Sequence, residues 1–209
     1  MNPILEQLGK IKIIPVVVID DADLAIPLAQ ALLEGGLPTM EITFRTNAAK
    51  EAIARVAKSF PAMLTGAGTV LSVEQAKTAI ECGAKYIVSP GLNRKVVEYC
   101  LINNVTVTPG VVTPTELESA LEMGLEVVKF FPAEASGGVE YLKAISAPFK
   151  KIKFIPTGGI NELNVSAYLA LPQVLACGGS WMVKSNLIAN GQFTTIKSLT
   201  ASAKKKVSS

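Results

Sequence analysis

The chain is expected to be an α/β protein built on a parallel sheet covered by helices. Two observations carry that expectation. Short apolar or β-branched runs alternate along the whole chain with segments whose apolar residues recur at three and four. The strand-like runs are almost continuously apolar, as strands buried on both faces are. Roughly eight strand–helix units in about 200 residues match the lower size limit of a closed eight-fold barrel. An open doubly wound sheet would show the same alternation, so periodicity leaves closure open.

In chain order, the strand runs are 11–18, 38–44, 63–68, 86–90, 105–111, 126–131, 154–158 and 174–181. The helical segments between them are 22–33, 47–57, 72–80, 94–101, 113–123 and 139–145. Several helix starts carry their own chemistry. Thr113-Pro114-Thr115-Glu116 reads as an N-cap, a proline at the first helical position and a capping-box glutamate. Ser72-Val73-Glu74-Gln75 reads as a second capping box, and Asn161 as a cap after the seventh strand. No linker or low-complexity stretch breaks the chain, which predicts one domain over 1–209 with a lysine-rich tail from about 202.

Composition narrows the chemistry. The 209 residues are 49% hydrophobic and 18% charged, enough for one well-buried core. The net charge of +3 is accounted for by the tail Lys204-Lys205-Lys206, which reads as a solvated helix end or frayed terminus rather than a nucleic-acid site. The longest apolar run, around 13–19, contains Pro15 and is far too short to span a membrane. The segment 1–10 lacks the basic start and apolar stretch of a signal peptide. Cys82, Cys100 and Cys177 give neither a disulfide framework nor a metal spacing, so a reducing cytoplasm is expected. The chain has 0 histidines. That removes Ser-His-Asp and Cys-His nucleophile systems and the usual histidine-bearing zinc sites. Acid–base work falls to carboxylate, lysine, tyrosine, substrate groups or water.

Lys129 lies inside the apolar run Val127-Val128-Lys129-Phe130-Phe131-Pro132. Burial there strips an ammonium of hydration and favours the neutral amine, a nucleophile towards carbonyl carbon. In a barrel, functional groups gather at the carboxyl ends of the strands, and Lys129 comes late in its strand. Lys12, Lys85 and Lys153 stand at or near strand starts and read as ordinary surface charges. The alternative for Lys129 is an outward side chain that snorkels to water. In Met40-Glu41-Ile42-Thr43-Phe44-Arg45, a period of two puts Glu41, Thr43 and Arg45 on one face. That face holds either a structural Glu41–Arg45 ion pair or a site. Strands two and six lie across a barrel from each other and share a layer, which would let Glu41 meet Lys129. Thr157-Gly158-Gly159 and Gly178-Gly179-Ser180 end the seventh and eighth strands, a frequent phosphate site in barrels. Gly66-Ala67-Gly68-Thr69 starts like a dinucleotide fingerprint, but Leu71 stands at its third glycine position, which argues against a dinucleotide. Cys177 beside the phosphate loop reads as packing.

The runs Glu41 to Thr46, Gly66 to Val70, Ser89-Pro90-Gly91, Thr108 to Val111, Lys129 to Glu134, Pro156 to Ile160 and Gly178 to Trp181 together resemble the 2-keto-3-deoxy-6-phosphogluconate aldolases, also called 4-hydroxy-2-oxoglutarate aldolases. The resemblance extends from about residue 5 to residue 200, in order and in register. It implies a (β/α)8 TIM barrel with a short N-terminal helix, usually a homotrimer, acting as a class I aldolase with no metal or other cofactor. It implies that Lys129 forms a Schiff base and that Glu41 shuttles protons. Arg45 and Thr69 would bind the carboxylate of the pyruvate portion, and Pro90 and Phe131 would shape the pocket. Gly158, Gly159, Gly179 and Ser180 would hold the distal phosphate, and Thr157 would also bind substrate. Lys184 departs from the pattern, standing where members of the family often have proline.

The substrate so implied is 2-keto-3-deoxy-6-phosphogluconate, cleaved to pyruvate and glyceraldehyde 3-phosphate, with 4-hydroxy-2-oxoglutarate as a second substrate. The alternatives are an aldolase for the 6-phosphogalactonate epimer, a phosphosugar isomerase or epimerase using Glu41 as a base without covalent chemistry, and a non-catalytic phosphate-binding barrel.

Overall fold

The structure, a computed structural model, describes residues 2–208. The expected N-terminal helix is α1 (Pro3–Ile11): Asn2 caps it by accepting the Ile4 N–H, and Pro3 occupies its first turn. Eight strands follow: β1 (Ile13–Val17), β2 (Thr39–Thr43), β3 (Leu64–Gly68), β4 (Tyr86–Ser89), β5 (Thr106–Val111), β6 (Val127–Phe130), β7 (Lys153–Pro156) and β8 (Cys177–Gly179). Between successive strands run α2 (Ala25–Glu34), α3 (Ala49–Ser59), α4 (Val73–Glu81), α5 (Arg94–Ile102), α6 (Pro114–Glu122), α7 (Gly138–Ser146) and α8 (Val165–Leu169). A 3-10 turn (Ala22–Leu24) leads into α2, and α9 (Ser185–Ala189) and α10 (Phe193–Ser208) close the chain.

The strands pair in parallel from β7 through to β1, and β1 pairs with β8 over Ile13↔Cys177 to Pro15↔Gly179. The remaining seam, β7 to β8, is closed by two bridges, Phe154↔Val174 and Thr157↔Gly178. Closure therefore favours the (β/α)8 barrel over the open sheet. Because both faces are covered, nearly every strand residue is buried. The outer layer is set by packing such as the Phe130 ring on Tyr141 of α7, stacked at 6.1 Å and 17°.

Local chemistry departs from expectation in three places. At Ser72 the cap holds, accepting the Gln75 N–H at 3.2 Å, but the Gln75 side chain accepts from Leu71 instead of closing the box on Ser72. Asn161 makes a turn rather than a helix cap: it accepts the Leu163 N–H, while α8 starts later with Asn164 at its N-cap position. The eighth strand is only Cys177–Gly179, because the Trp181 ring folds back over Gly179, where a Cβ would stand 2.0 Å from it. The capping box at Thr113 and Glu116 is complete. The lysine-rich tail is the end of α10, which buries Ala203 and Val207 and leaves Lys205 and Lys206 outward near the negative helix terminus. Lys12 and Lys153 lie at the strand-start end, where each donates to a carbonyl, of Val207 and Pro172 respectively.

Candidate active site

The alternation of β6 decides where its lysine goes. Phe130 faces outward onto α7, so Lys129 faces inward. It is 3% exposed, which excludes the snorkelling alternative. The same alternation in β2 sends Met40 and Ile42 outward and Thr39, Glu41 and Thr43 inward. Thr39 lies 3.3 Å from the Tyr86 hydroxyl across the interior. Glu41 and Lys129 meet in the barrel, with Lys129 Nζ 3.8 Å from Glu41 Oε1 and both nearly sealed from solvent. Glu41 Oε1 accepts no hydrogen bond among the described residues. A buried carboxylate oxygen without a donor is costly and is a common mark of a reacting group.

Two glycines on β3 create the space that Glu41 occupies. A Cβ on Gly68 would stand 2.0 Å from Glu41 Oε1, and one on Gly66 would stand 2.2 Å from the Tyr86 ring. The register of Glu41 with Gly66, and of Gly66 with Tyr86, places these groups side by side in the interior. Burial, and secondarily the Glu41 charge, push the Tyr86 hydroxyl well above its ordinary range, so it stays a neutral phenol beside the carboxylate.

Above this floor opens a cavity of about 470 Å³ at the carboxyl ends of the strands. Arg45, Phe131, Thr157, Gly158, Gly159, Gly179 and Ser180 line it, together with Lys184 and Ser185. Lys129 lies beneath one of its walls, with Nζ 4.7 Å from the centre of the Phe131 ring. Arg45 Nε donates to Thr69 Oγ1 at 3.2 Å. Thr69 holds a left-handed backbone, with φ 55. Gly158 and Gly159 have φ of 99 and 81, a conformation few other residues adopt. Both of their carbonyls accept: Gly158 from the Glu134 N–H, Gly159 from Asn161 and Asn164. The loop after β6 is held against them. Tyr168 of α8 donates to the Glu134 carboxylate, and a Cβ on Gly159 would stand 2.5 Å from Glu134 Cγ.

Residues 4–199 match the family model described as KDPG and KHG aldolase. The chain belongs to this aldolase family. A 2-dehydro-3-deoxy-phosphogluconate aldolase of Treponema pallidum is 49% identical, over 95% of each chain. Among solved structures, a KDPG aldolase from Legionella pneumophila, with pyruvate captured as a covalent carbinolamine intermediate, superposes with a TM-score of 0.91. It is 40% identical, covering 94% of this chain and 96% of its own. A KDPG aldolase of Zymomonas mobilis with 3-phosphoglycerate gives 0.88 at 36% identity, covering 96% and 94%.

Most of the site residues expected for an aldolase of this family come together here. Lys129 and Glu41 form the buried pair; Arg45, Phe131, Thr157, Gly158, Gly159, Gly179 and Ser180 line the cavity; Thr69 joins through Arg45. Pro90 stands apart, lining a neighbouring hollow with Leu71 and Leu92. Its carbonyl lies against Gly110, 2.0 Å from where a Gly110 Cβ would be, and Gly110 is the register partner of Lys129. Cys177 is packing: it is wholly buried, and burial pushes its thiol up to about 12. Sequence reasoning missed the part played by Gly66 and Gly68, and with them Tyr86. The signal was present as two glycines at a period of two on the strand next to Glu41. Among the described residues no helix is long and apolar enough to cross a membrane.

Proposed function

We propose that this chain is a class I aldolase that cleaves 2-keto-3-deoxy-6-phosphogluconate to pyruvate and glyceraldehyde 3-phosphate, and 4-hydroxy-2-oxoglutarate to pyruvate and glyoxylate. The observation that carries the proposal is the sealed Lys129–Glu41 pair, 3.8 Å apart, beneath a cavity with an arginine and two glycine loops. The unprotonated Lys129 amine adds to the C2 ketone to form a carbinolamine, and protonated Glu41 donates its proton as water leaves, giving the iminium. Glu41 then takes the C4 hydroxyl proton. The C3–C4 bond breaks, its electron pair flows into the iminium to give an enamine, and the aldehyde departs. Protonated Glu41 returns the proton to C3, and water hydrolyses the iminium to free pyruvate and the amine. The iminium nitrogen is the electron sink, so this scheme asks nothing of a metal.

Arg45, steadied by Thr69, suits the planar carboxylate of the substrate, which a guanidinium can bind through two parallel hydrogen bonds. The positive-φ glycines Gly158 and Gly159 at the cavity wall suit the close approach of a phosphate to the backbone. The Legionella aldolase with covalent pyruvate and the Zymomonas aldolase with 3-phosphoglycerate support both halves of this reading. A homotrimer working in the cytoplasm completes the proposal.

Incubation with pyruvate and borohydride is expected to leave a permanent three-carbon adduct on the Lys129 peptide. Lys129→Ala should abolish the adduct and lower cleavage by at least about 10⁴-fold. A parent enzyme without any adduct would sink the Schiff-base scheme and leave the non-covalent isomerase.

A further inference from the structure

We propose that Lys184 is the cation that recognises the distal phosphate and sets the preference for phosphorylated over unphosphorylated substrate. This rests on the aldolase reading above and extends it to Lys184 on the cavity wall. The cavity has two cationic residues among its lining, Arg45 and Lys184, and no acidic one. The strand directions separate them. Arg45 follows β2 and is engaged with Thr69, just after β3, at the end suited to the carboxylate. Lys184 follows β8, four residues after Ser180, and shares the cavity wall with Gly158, Gly159 and Gly179.

The backbone of Lys184 is anchored, since its carbonyl accepts the N–H groups of Leu187 and Ile188 at 2.9 and 3.2 Å, so the base of the side chain is fixed at the start of α9. Among the described residues its ammonium has no ion pair and no hydrogen-bond partner, and the residue is exposed. Glycine N–H groups and a serine hydroxyl can orient a phosphate, but they leave its two negative charges uncompensated. A mobile ammonium on the rim supplies that charge without a fixed geometry. A solvated contact of this kind contributes to binding and is weakened by salt.

The test compares full-length parent, Lys184→Ala, Lys184→Glu and Lys184→Arg on 2-keto-3-deoxy-6-phosphogluconate and on 4-hydroxy-2-oxoglutarate. Lys184→Ala should raise KM for the phosphorylated substrate about fivefold to tenfold with kcat within twofold, and Lys184→Glu should raise it further. Lys184→Arg should stay near the parent. KM for the unphosphorylated substrate should not move in any variant, and the parent's KM for the phosphorylated substrate should rise with salt more steeply than that of Lys184→Ala. Inorganic phosphate should inhibit the parent competitively and Lys184→Ala more weakly. Equal changes on both substrates, or none on either, would overturn the role of Lys184 while leaving the aldolase intact. A parent that forms no borohydride adduct overturns the underlying reading instead.

Discussion

At the scale of single residues, the site is made as much by missing side chains as by present ones. Glu41 can stand beside Lys129 because Gly68 has no Cβ, and Tyr86 can fill the floor because Gly66 has none. Gly68→Ala would place a methyl 2.0 Å from Glu41 Oε1, between backbone and a carboxylate that has little room to retreat. The expected result is a barrel that still folds, destabilised by about 1–3 kcal/mol, with kcat lowered about 10²-fold as Glu41 is displaced. Circular dichroism and steady-state kinetics on one preparation check both parts. Unchanged kcat would show that the position of the carboxylate is not critical. These glycines were visible in the sequence, but their cause was not. It lies in side chains from the strands on either side of β3, and in one dimension Gly66 and Gly68 looked like a broken nucleotide motif. The Glu41–Lys129 encounter was legible, because alternation fixes which side chains enter a barrel and strand number fixes which share a layer.

At the scale of elements, helix starts were read well where the cap is self-contained. Thr113 and Glu116 close their box within four residues, so the local sequence suffices. Asn161 and Ser72 were read less well, since neighbouring groups such as Asn164 and Leu71 compete for the same bonds. Helix α6 offers a clean test. Burial raises the pKa of the Glu116 carboxyl, but hydrogen bonds from the Val112 N–H and from the hydroxyl and N–H of Thr113 outweigh it and hold the carboxyl below its ordinary range. A carboxyl whose folded pKa is depressed contributes stability above its unfolded pKa, and that contribution is lost as pH falls through the folded value. Glu116→Ala should therefore lower stability by about 1 kcal/mol at pH 7, with the difference from the parent shrinking below about pH 4. Urea titrations at pH 7 and pH 3.5 measure it. An equal difference at both values would mean that Glu116 acts through packing and not through its charge.

At the scale of the whole molecule, what periodicity could not decide was closure. Open and closed parallel sheets share one alternation of strand and helix, and the difference lies in a single seam. Here that seam is thin. β2 and β3 pair over five registered positions, Thr39↔Leu64 to Thr43↔Gly68, whereas β7 and β8 meet through two isolated bridges. Thr157 makes the upper one with Gly178, which must be glycine because its Cβ would stand 2.4 Å from Thr157 Oγ1. The seam thus ends at the glycine loops that line the cavity, and the least-paired part of the barrel is also the proposed phosphate end. Local opening follows the elements with the fewest supporting bonds. Under native conditions the amides of Phe154 and Leu175, which bond Gln173 and Phe154 carbonyls across the seam, should exchange before those of Met40 and Ile42 in β2. A ligand that binds the closed barrel stabilises it by mass action, so glyceraldehyde 3-phosphate should slow the seam amides more than the β2 amides. Hydrogen exchange read by mass spectrometry with and without that ligand separates the outcomes. If seam and β2 exchange together, the barrel opens as one unit and the β7–β8 seam has no independent mobility.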